Sequence, residues 1–470
     1  MNQRIIPKNL LLSFVLLTTL FFAWAIPNNL TDTMLAAFKR IMSLSDSKTA
    51  WIQVVCYLLG YGCCAIPGAL FIKKYTYKAG VLLGLSLYAG GCFLFFPAMW
   101  CLQINADVSF IVYLAAIFIL FAGLSVLETS SNSYIYAIGP EETATRRLNF
   151  SQSFNPFGAI AGVVISQIFI LSQLNLLTAG ERANLAAGDL AEIQSQELNS
   201  VTMTYAILGL VMFGLLLAIL FTKMPNLKEG GQKPELGATF KRLVKNRNYV
   251  WGVVAQFFYV GAQISVWSFV IRYVMQQLNL DGVIASAGAN ASSDAIVEAL
   301  RNVEPVAAGF YNFCEWIGLN DLLPRTAEQA GATYYIISLV LFVIARFICT
   351  GLMKYFKPGK ILAVLAVAAV ACCLLTVYGT GFTGIYALMG ITACMSLMFP
   401  TIYGIGIRGL GEDTKIGGAG MVMAIAGAAV LTQIQGIISD SSNIKTAYWI
   451  PAIAFAVIVY YSLVVCRKED

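Results

Sequence analysis

Long apolar runs recur along the whole chain, and they constrain its fold more than any other feature. Each of twelve such runs is long enough to cross about 30 Å of hydrocarbon, a distance that takes roughly 20 helical residues. They lie at residues 10–36, 50–72, 79–101, 108–137, 148–171, 201–222, 249–277, 333–353, 361–380, 383–407, 418–438 and 446–465. The sequence therefore predicts an all-α polytopic membrane protein with twelve transmembrane helices.

Composition and charge agree with a membrane protein. Of the 470 residues, 59% are hydrophobic and only 11% are charged, whereas about a quarter of the residues of soluble domains are charged. No run has the pattern of a cleaved signal peptide, so we expect the first helix to be retained. With both termini in the cytoplasm, 21 of the 30 Lys and Arg residues lie on the cytoplasmic side, in agreement with the positive-inside rule. Because topology explains the net charge of +6, we expect no nucleic-acid partner.

Cysteine and histidine limit the possible chemistry. Nearly all of the eleven cysteines lie in predicted spans and only Cys314 lies well inside an outer loop, which is typical of small apolar packing residues. No Cys or His cluster has metal-ligand spacing, so no metal site and no cofactor is expected. The chain has no histidine, and any proton relay must therefore use carboxylates.

A polar, basic segment divides the chain in the middle. This segment, KMPNLKEGGQKPELGATFKRLVKNRN at 223–248, has six predicted helices on each side and the composition of a cytoplasmic linker. An offset of 271 residues aligns the fourth helix with the tenth, pairs Ser125 with Ser396 and matches the closing EET with EDT. We therefore predict two pseudo-symmetric six-helix bundles, at 1–222 and 249–470.

The longest outer loop spans residues 278–332. Two of its segments, SDAIVEALRNV and GFYNFCEWIGL, have the pattern of short surface helices. Two roles are open for this loop: a lid over the outer mouth, or a family-specific insertion without a role in transport. We favour the insertion.

Only two of the 24 acidic residues, Asp32 and Glu128, fall inside predicted spans. Inserting an ionisable group at the centre of a helix costs at least about 2.5–3.5 kcal/mol and usually marks an ion or substrate pathway. The structural alternative is that these carboxylates pair with Arg272 or Arg346, the only basic residues in the spans. Arg272 lies near a helix end and both arginines belong to the other half, so we favour a functional site.

Polar and aromatic side chains are predicted to surround the two carboxylates. Trp24 and Asn28 share a helix face with Asp32 at four-residue spacing, and Asn132 shares one with Glu128. Amides, carboxylates and an aromatic ring bind hydroxyl-rich ligands such as sugars, although any single amide can equally join helices. The other candidates are Asn29, Gln152, Asn155, Gln263 and Trp267.

These stretches resemble the L-fucose:proton symporter family of the major facilitator superfamily. The resemblance rests on NNLTD, VLETSSN, LNFSQSFNPFGAI, YVGAQISVWSFVIRY and FPTIYGIGIRGLGEDTKIG, and it runs along nearly the whole chain. The KKYTYKAG turn, in place of the usual acidic and arginine-rich superfamily motif, is also typical of fucose permeases. The resemblance implies a transporter of the bacterial inner membrane rather than an enzyme, with two bundles, a central cavity and alternating access.

The resemblance also implies roles for single residues. The proton-binding aspartate of the family corresponds to Asp32, and its essential cavity glutamate corresponds to Glu128. Its sugar-contacting amides and cavity tryptophans correspond to Asn29, Gln152, Asn155, Trp24 and Trp267. Phe399 stands where the family has a tyrosine, and the loop after helix seven is longer than usual. Both departures bear on which sugar is bound.

The expected activity is the import of L-fucose, or a related hexose, together with protons, by a monomer in the bilayer. A carboxylate in a low-dielectric cavity is costly when charged and therefore takes up a proton. Neutral Asp32 would then permit sugar binding and rocking of the bundles, while Glu128 would couple sugar occupancy to the proton state. The alternatives are a glucose, galactose or amino-sugar cargo, coupling to sodium, and an uncoupled facilitator. A membrane sensor or enzyme would need a soluble domain or a metal cluster, and the sequence contains neither.

Overall fold

The structure is a computed structural model of the chain. It describes residues 10–42, 51–170, 182, 184–225, 236–286, 293–303, 305–324 and 327–465; within these ranges the side chains of some residues, Asp32 among them, are outside the described part. The secondary structure of the described residues is helical throughout, and eleven of their helices are long and apolar enough to cross a membrane. The prediction of an all-α polytopic membrane protein is confirmed.

Most helices follow the predicted spans closely, although the helix over the predicted span 201–222 already begins at Ala187. Those before the middle of the chain are α1 (Leu11–Ile41), α2 (Trp51–Lys74), α3 (Tyr77–Cys101), α4 (Ala106–Ala137), α5 (Ala144–Gln152), α6 (Asn155–Phe169), α7 (Ala187–Phe221) and α8 (Leu236–Lys245). Those after it are α9 (Arg247–Leu278), α10 (Leu280–Ser286), α11 (Ser293–Val303), α12 (Pro305–Trp316), α13 (Ala327–Leu352), α14 (Pro358–Tyr378), α15 (Phe382–Gly406), α16 (Gly411–Ser441) and α17 (Ile444–Val465). Helix α11 coincides with the first predicted loop helix, and α12 overlaps the second.

Several helices begin at residues suited to that position. The side chains of Thr76, Asn105 and Asn443 accept hydrogen bonds from backbone N–H groups in the first turns of α3, α4 and α17. These bonds satisfy N–H groups that have no partner inside a helix. Pro358 lies at the start of α14, where its missing N–H carries no penalty.

The fifth predicted span, 148–171, is interrupted, and this prediction of a single helix is wrong. Helix α5 ends at Gln152 and α6 begins at Asn155, with Ser153 and Phe154 between them. Pro156 lies in the first turn of α6, where proline fits a helix start but would interrupt a continuing helix. Together α5 and α6 occupy the position of the twelfth span, beside the eleven longer ones.

The repeat in the sequence has a counterpart in local geometry. Glu141–Thr143, directly before α5, and Gly411–Asp413, the first turn of α16, are both short 3₁₀ turns. At the offset of 271 residues, the break between α5 and α6 corresponds to residues 424 and 425, and Ala424–Ala426 is a 3₁₀ turn inside α16. The two halves therefore share interruptions as well as spans, which supports a repeated design.

Packing groups the described residues into two compact units. The first unit contains those within Met1–Gln256 and Ile402–Ala429, and the second contains those within Phe257–Thr401 and Val430–Asp470. Within the first unit, for example, the hydroxyls of Ser133 in α4 and Tyr403 in α15 lie 3.2 Å apart. The predicted bundles at 1–222 and 249–470, with a linker at 223–248, follow chain order rather than this packing and stay a prediction.

Two close helix contacts position the candidate site in the first unit. A Cβ atom on Gly84 of α3 would stand 2.8 Å from the backbone nitrogen of Leu127 in α4. A Cβ atom on Gly162 of α6 would stand 2.5 Å from the carbonyl oxygen of Ile26 in α1. Only glycine allows backbones to approach this closely. The first contact fixes α4 against α3 next to Glu128. The second fixes α1 against α6 just before the paired asparagines of α1.

Candidate functional site

Glu128 is the centre of the polar region in the first unit. It lies within α4 and is only 6% exposed. The hydroxyl of Tyr61, from α2, and the side chain of Asn132, one turn further along α4, interact with its carboxylate. A buried carboxylate requires such polar neighbours, because burial without them carries a large desolvation penalty. The structure thus brings the predicted pair Glu128 and Asn132 together.

Tyr61 extends this polar contact to a third helix. The side-chain nitrogen of Asn28 in α1 lies 3.4 Å from the Tyr61 hydroxyl oxygen and donates to it. The Tyr61 ring is buried, with the Phe121 ring edge-on at 6.1 Å and the Tyr57 ring stacked at 6.4 Å. Helices α1, α2 and α4 therefore meet at one phenol hydroxyl.

Asp32 lies in α1 one turn after Asn28. Residues four apart in a helix share a face, so the backbone places Asp32 on the face of α1 that carries Asn28. The Asp32 side chain lies outside the described residues, and its proton-binding role stays a prediction.

Gln152 supplies a second amide to the region around Asn132. Its side-chain nitrogen donates to the Oδ1 atom of Asn132 at 3.0 Å, and both residues are buried. The Oδ1 atom of Asn28 and the Nδ2 atom of Asn132 are buried and have no hydrogen-bond partner of normal geometry among the described residues. Buried polar atoms without partners are rare in proteins. The Asn132 Nδ2 atom is the donor that can face the Glu128 carboxylate, and the Asn28 Oδ1 atom is available to a hydroxylated ligand.

The other first-unit candidates contact α1 instead. Asn155 donates to the backbone oxygen of Phe21 at 3.2 Å, and Asn29 donates to the backbone oxygen of Ala25 at 2.9 Å. The Trp24 indole is buried against the Phe21 ring, with 4.2 Å between centroids. Gln152 and Asn155 are three residues apart within one predicted span; the helix break separates them, so that Gln152 faces α4 and Asn155 faces α1.

The three remaining candidates belong to the second unit. Trp267 in α9 packs against the rings of Phe342 at 5.4 Å and Tyr335 at 6.3 Å, and its indole N–H has no hydrogen-bond acceptor among the described residues. Gln263 is half-buried one turn earlier on α9. Phe399 in α15 packs against Tyr259, with ring centroids 6.3 Å apart. Two of these three candidates in the second unit are therefore aromatic and pack against other rings.

The arginines of the structural alternative make contacts of another kind. Arg346 donates through Nε to the backbone oxygen of Ser396 and lies over the Phe342 ring at 4.7 Å. Arg272 is exposed and lies 5.4 Å from the centre of the Phe269 ring. These contacts give no support to pairing of the arginines with Asp32 or Glu128.

Sequence reasoning missed Tyr61 as a member of the site. A tyrosine within an apolar span, four residues after Tyr57, is typical of helix packing, and its ring does pack. The only available signal was that a buried hydroxyl requires a hydrogen-bond partner, and the sequence does not show which one.

Comparison with known proteins identifies the family of the chain. Residues 10–430 match the family model described as Major Facilitator Superfamily. The L-fucose-proton symporter of Haemophilus influenzae is 35% identical over 98% of this chain and 98% of its own length. The glucose/galactose transporter of Brucella abortus is 28% identical over 97% of this chain and 95% of its own length.

The fold comparison points to the same family. A crystal structure of the Escherichia coli fucose:proton symporter FucP has a TM-score of 0.78 and 34% identity, and covers 98% of each chain. The families matched are transporters, so the prediction that the chain is not an enzyme is confirmed. The chain belongs to the Major Facilitator Superfamily and, within it, to the family of the L-fucose-proton symporters.

Proposed function

We propose that this chain imports L-fucose together with protons, by alternating access, across the inner membrane of a bacterium. The observation that carries the proposal is the buried cluster of Glu128, Asn132, Gln152 and Asn28 joined through Tyr61. A carboxylate within such a cluster can change its proton state and bind hydroxyl groups. The symporter relatives supply the sugar and the ion.

Sugar recognition follows from the chemistry of the amides. An Asn or Gln side chain both donates and accepts hydrogen bonds, so it can bind two neighbouring hydroxyls of a hexose. The Asn28 Oδ1 atom supplies an acceptor. Trp267 stays the predicted aromatic contact for the C–H side of a sugar, as aromatic rings in apolar ligand sites are. Gln263 and Phe399 are the further candidates for sugar contact from the second unit.

Proton coupling is assigned to Asp32 and Glu128. A charged carboxylate in a low-dielectric setting has a high free energy, so protonation from the outer side favours the neutral, sugar-binding form. When water reaches the carboxylate from the cytoplasm, it releases the proton and the sugar leaves. Glu128, which contacts the amides, is positioned to couple sugar occupancy to the proton state. No cofactor takes part, and the proton is the coupling ion.

The coupling ion can be tested in right-side-out membrane vesicles. Symport with protons predicts that labelled L-fucose accumulates when the vesicle interior is made alkaline, and that an inward sodium gradient alone gives no accumulation. Accumulation driven only by sodium would replace the proton with sodium and leave the sugar unchanged. Equilibration without accumulation under either gradient would indicate an uncoupled facilitator.

A second cargo, glucose or galactose, is favoured by two observations. Phe399 lacks the hydroxyl that the L-fucose family resemblance leads us to expect there, and the glucose/galactose transporter of Brucella abortus aligns along nearly the whole chain. Competition of unlabelled L-fucose, D-glucose, D-galactose and amino sugars with labelled L-fucose distinguishes the cargoes. The Phe399→Tyr variant should shift the ranking toward L-fucose, since a hydroxyl adds discrimination among sugars.

The membrane setting is part of the proposal. Both termini are placed in the cytoplasm, because the excess of Lys and Arg then lies inside. We expect a monomer, since one chain contains the whole cluster around Glu128.

A further inference from the structure

Helix α8 (Leu236–Lys245) has a fixed place next to the membrane. Only Asn246 separates it from Arg247, where the membrane-spanning helix α9 begins. The Asn246 side chain accepts a hydrogen bond from the Tyr249 N–H at 3.0 Å, which caps the first turn of α9. A helix joined to a span through one capping residue lies at the height of the lipid headgroups. By the positive-inside count, this is the cytoplasmic side.

The orientation of α8 about its own axis is also fixed. The Arg242 guanidinium donates two hydrogen bonds to the Asp413 carboxylate, each 2.7 Å long. Thr239 donates to the same carboxylate at 3.1 Å, and Leu243 is buried in the same unit. A bidentate arginine–carboxylate pair holds its partners in one geometry. The side of α8 that carries Thr239, Arg242 and Leu243 is therefore docked on the protein. This contact determines which residues of α8 lie on its undocked sides.

The undocked sides of α8 combine apolar and basic residues. Phe240 and Val244, one turn apart, are 43% and 69% exposed. Lys241 and Lys245, also one turn apart, form the next stripe and are exposed. Among the described residues, no carboxylate lies within ion-pair distance of either lysine. A large apolar stripe beside a basic one is the pattern of a helix that lies in the interface of an anionic membrane.

We propose that α8 is an interfacial anchor that binds anionic phospholipids of the inner leaflet. Lys241 and Lys245 bind the headgroup phosphates, while Phe240 and Val244 insert between the upper acyl chains. Anionic lipid would in this way hold α8, and with it the Arg242–Asp413 contact, against the bilayer. This lipid site lies outside the transport reaction and does not depend on which sugar or ion is carried.

Photolabelling in proteoliposomes tests the proposal. The full chain is reconstituted in phosphatidylethanolamine and phosphatidylglycerol with a trace of phosphatidylglycerol carrying an acyl-chain diazirine, illuminated and digested, and its lipid adducts are mapped by mass spectrometry. A parallel sample contains the same diazirine on phosphatidylcholine. We expect adducts on residues 236–247 to exceed those with phosphatidylcholine by at least about five-fold, because each basic residue near an anionic surface contributes about 1 kcal/mol.

A charge variant and a matched control decide the outcome. Lys241→Gln/Lys245→Gln should lower the phosphatidylglycerol adducts on this segment to the phosphatidylcholine level, whereas Lys357→Gln/Lys360→Gln, which removes two exposed lysines elsewhere, should leave them unchanged. Equal adducts on the spanning helices of all variants show that each is folded and inserted. Three results would overturn the proposal: no adducts on the segment, equal adducts with both probes, or adducts that survive loss of the lysines.

Discussion

The side-chain nitrogen of Asn28 lies 3.4 Å from the hydroxyl oxygen of Tyr61, and the same hydroxyl interacts with Glu128. One buried phenol therefore joins the helix that carries Asp32 to the helix that carries Glu128. In a symporter this contact offers a route by which the charge of one carboxylate affects the surroundings of the other. Tyr61 is a positioning residue in this arrangement, since the proton and sugar roles are assigned to its neighbours.

Replacement of Tyr61 by phenylalanine is predicted to impair coupled transport. The Tyr61→Phe variant keeps the ring that packs on Phe121 and removes only the hydroxyl. The hydroxyl accepts from Asn28 and interacts with Glu128, and each such contact contributes about 1 kcal/mol, so we expect at least about a ten-fold loss in the rate of proton-driven uptake. Initial rates of labelled sugar uptake in energised vesicles measure the loss.

Tyr113 provides the matched control for this variant. Its ring is equally buried, and its hydroxyl lies 3.2 Å from that of Thr202, away from the candidate site. Tyr113→Phe should leave uptake within about two-fold of the unmodified protein, since a neutral hydrogen bond contributes only about 1 kcal/mol and this one lies outside the site. Equal uptake by the Tyr61 and Tyr113 variants would remove Tyr61 from the coupling mechanism.

Gln152 and Asn132 are predicted to act on sugar binding as a pair. Gln152→Ala should raise the KM for sugar by about ten-fold or more, because it removes a binding amide and leaves the Asn132 oxygen unpaired in a buried site. The Gln152→Ala/Asn132→Ala double variant should lose less than the sum of the two single losses. Additive losses in the uptake KM would show that the hydrogen bond between them has no part in binding.

Loss of the charge of Glu128 is predicted to separate sugar movement from proton movement. Glu128→Gln keeps the size and hydrogen-bonding capacity of the side chain, and removes its ability to gain or lose a proton. Sugar counterflow should continue, while accumulation against a gradient should be lost. Glu142→Gln, at an exposed position before α5, is the control and should accumulate sugar normally. Accumulation by the Glu128→Gln protein would contradict the coupling role.

A buried ion pair in the first unit, between Arg182 and a residue of α7, is predicted to stabilise this unit without taking part in transport. Arg182 and Glu197 are each 2% exposed, with 2.5 Å between nitrogen and oxygen. Breaking a buried pair typically costs about 3–5 kcal/mol, so Glu197→Gln should lower the unfolding temperature in detergent. Glu192→Gln, on the exposed surface of the same helix, should not. An unchanged unfolding temperature for both variants would show that the pair adds no stability.

The sequence predicts those parts of the candidate site in which polar residues stand out within an apolar span. Glu128 and Asn132 share a face in an apolar span, and helical spacing alone places them together. Gln152 was predicted as a polar residue in a span and from the family resemblance, although its partner Asn132 was not predicted. The assignment of Asp32 rests on the same reasoning, and the structure leaves its side chain undescribed.

Other features depend on tertiary contacts that spacing does not encode. Gln152 and Asn155 are three residues apart, but Pro156 moves them onto two helices, and a proline in a span is compatible with either a kink or a break. The role of Tyr61 depends on its contacts with Asn28 in α1 and Glu128 in α4, and only the structure shows these contacts. The packing of Ile402–Ala429 with the first unit is likewise a tertiary contact that the sequence does not encode. The repeat assigns this segment to the second half of the chain.

The most direct test of symport is the external pH of lightly buffered, de-energised cells that express the protein. Addition of L-fucose should make the medium alkaline, because protons enter with the sugar; D-glucose should not, and neither sugar should act in cells that carry Asp32→Asn. Entry of labelled L-fucose without any pH change would contradict proton symport, and alkalinisation that persists in the Asp32→Asn variant would move the proton site to another residue.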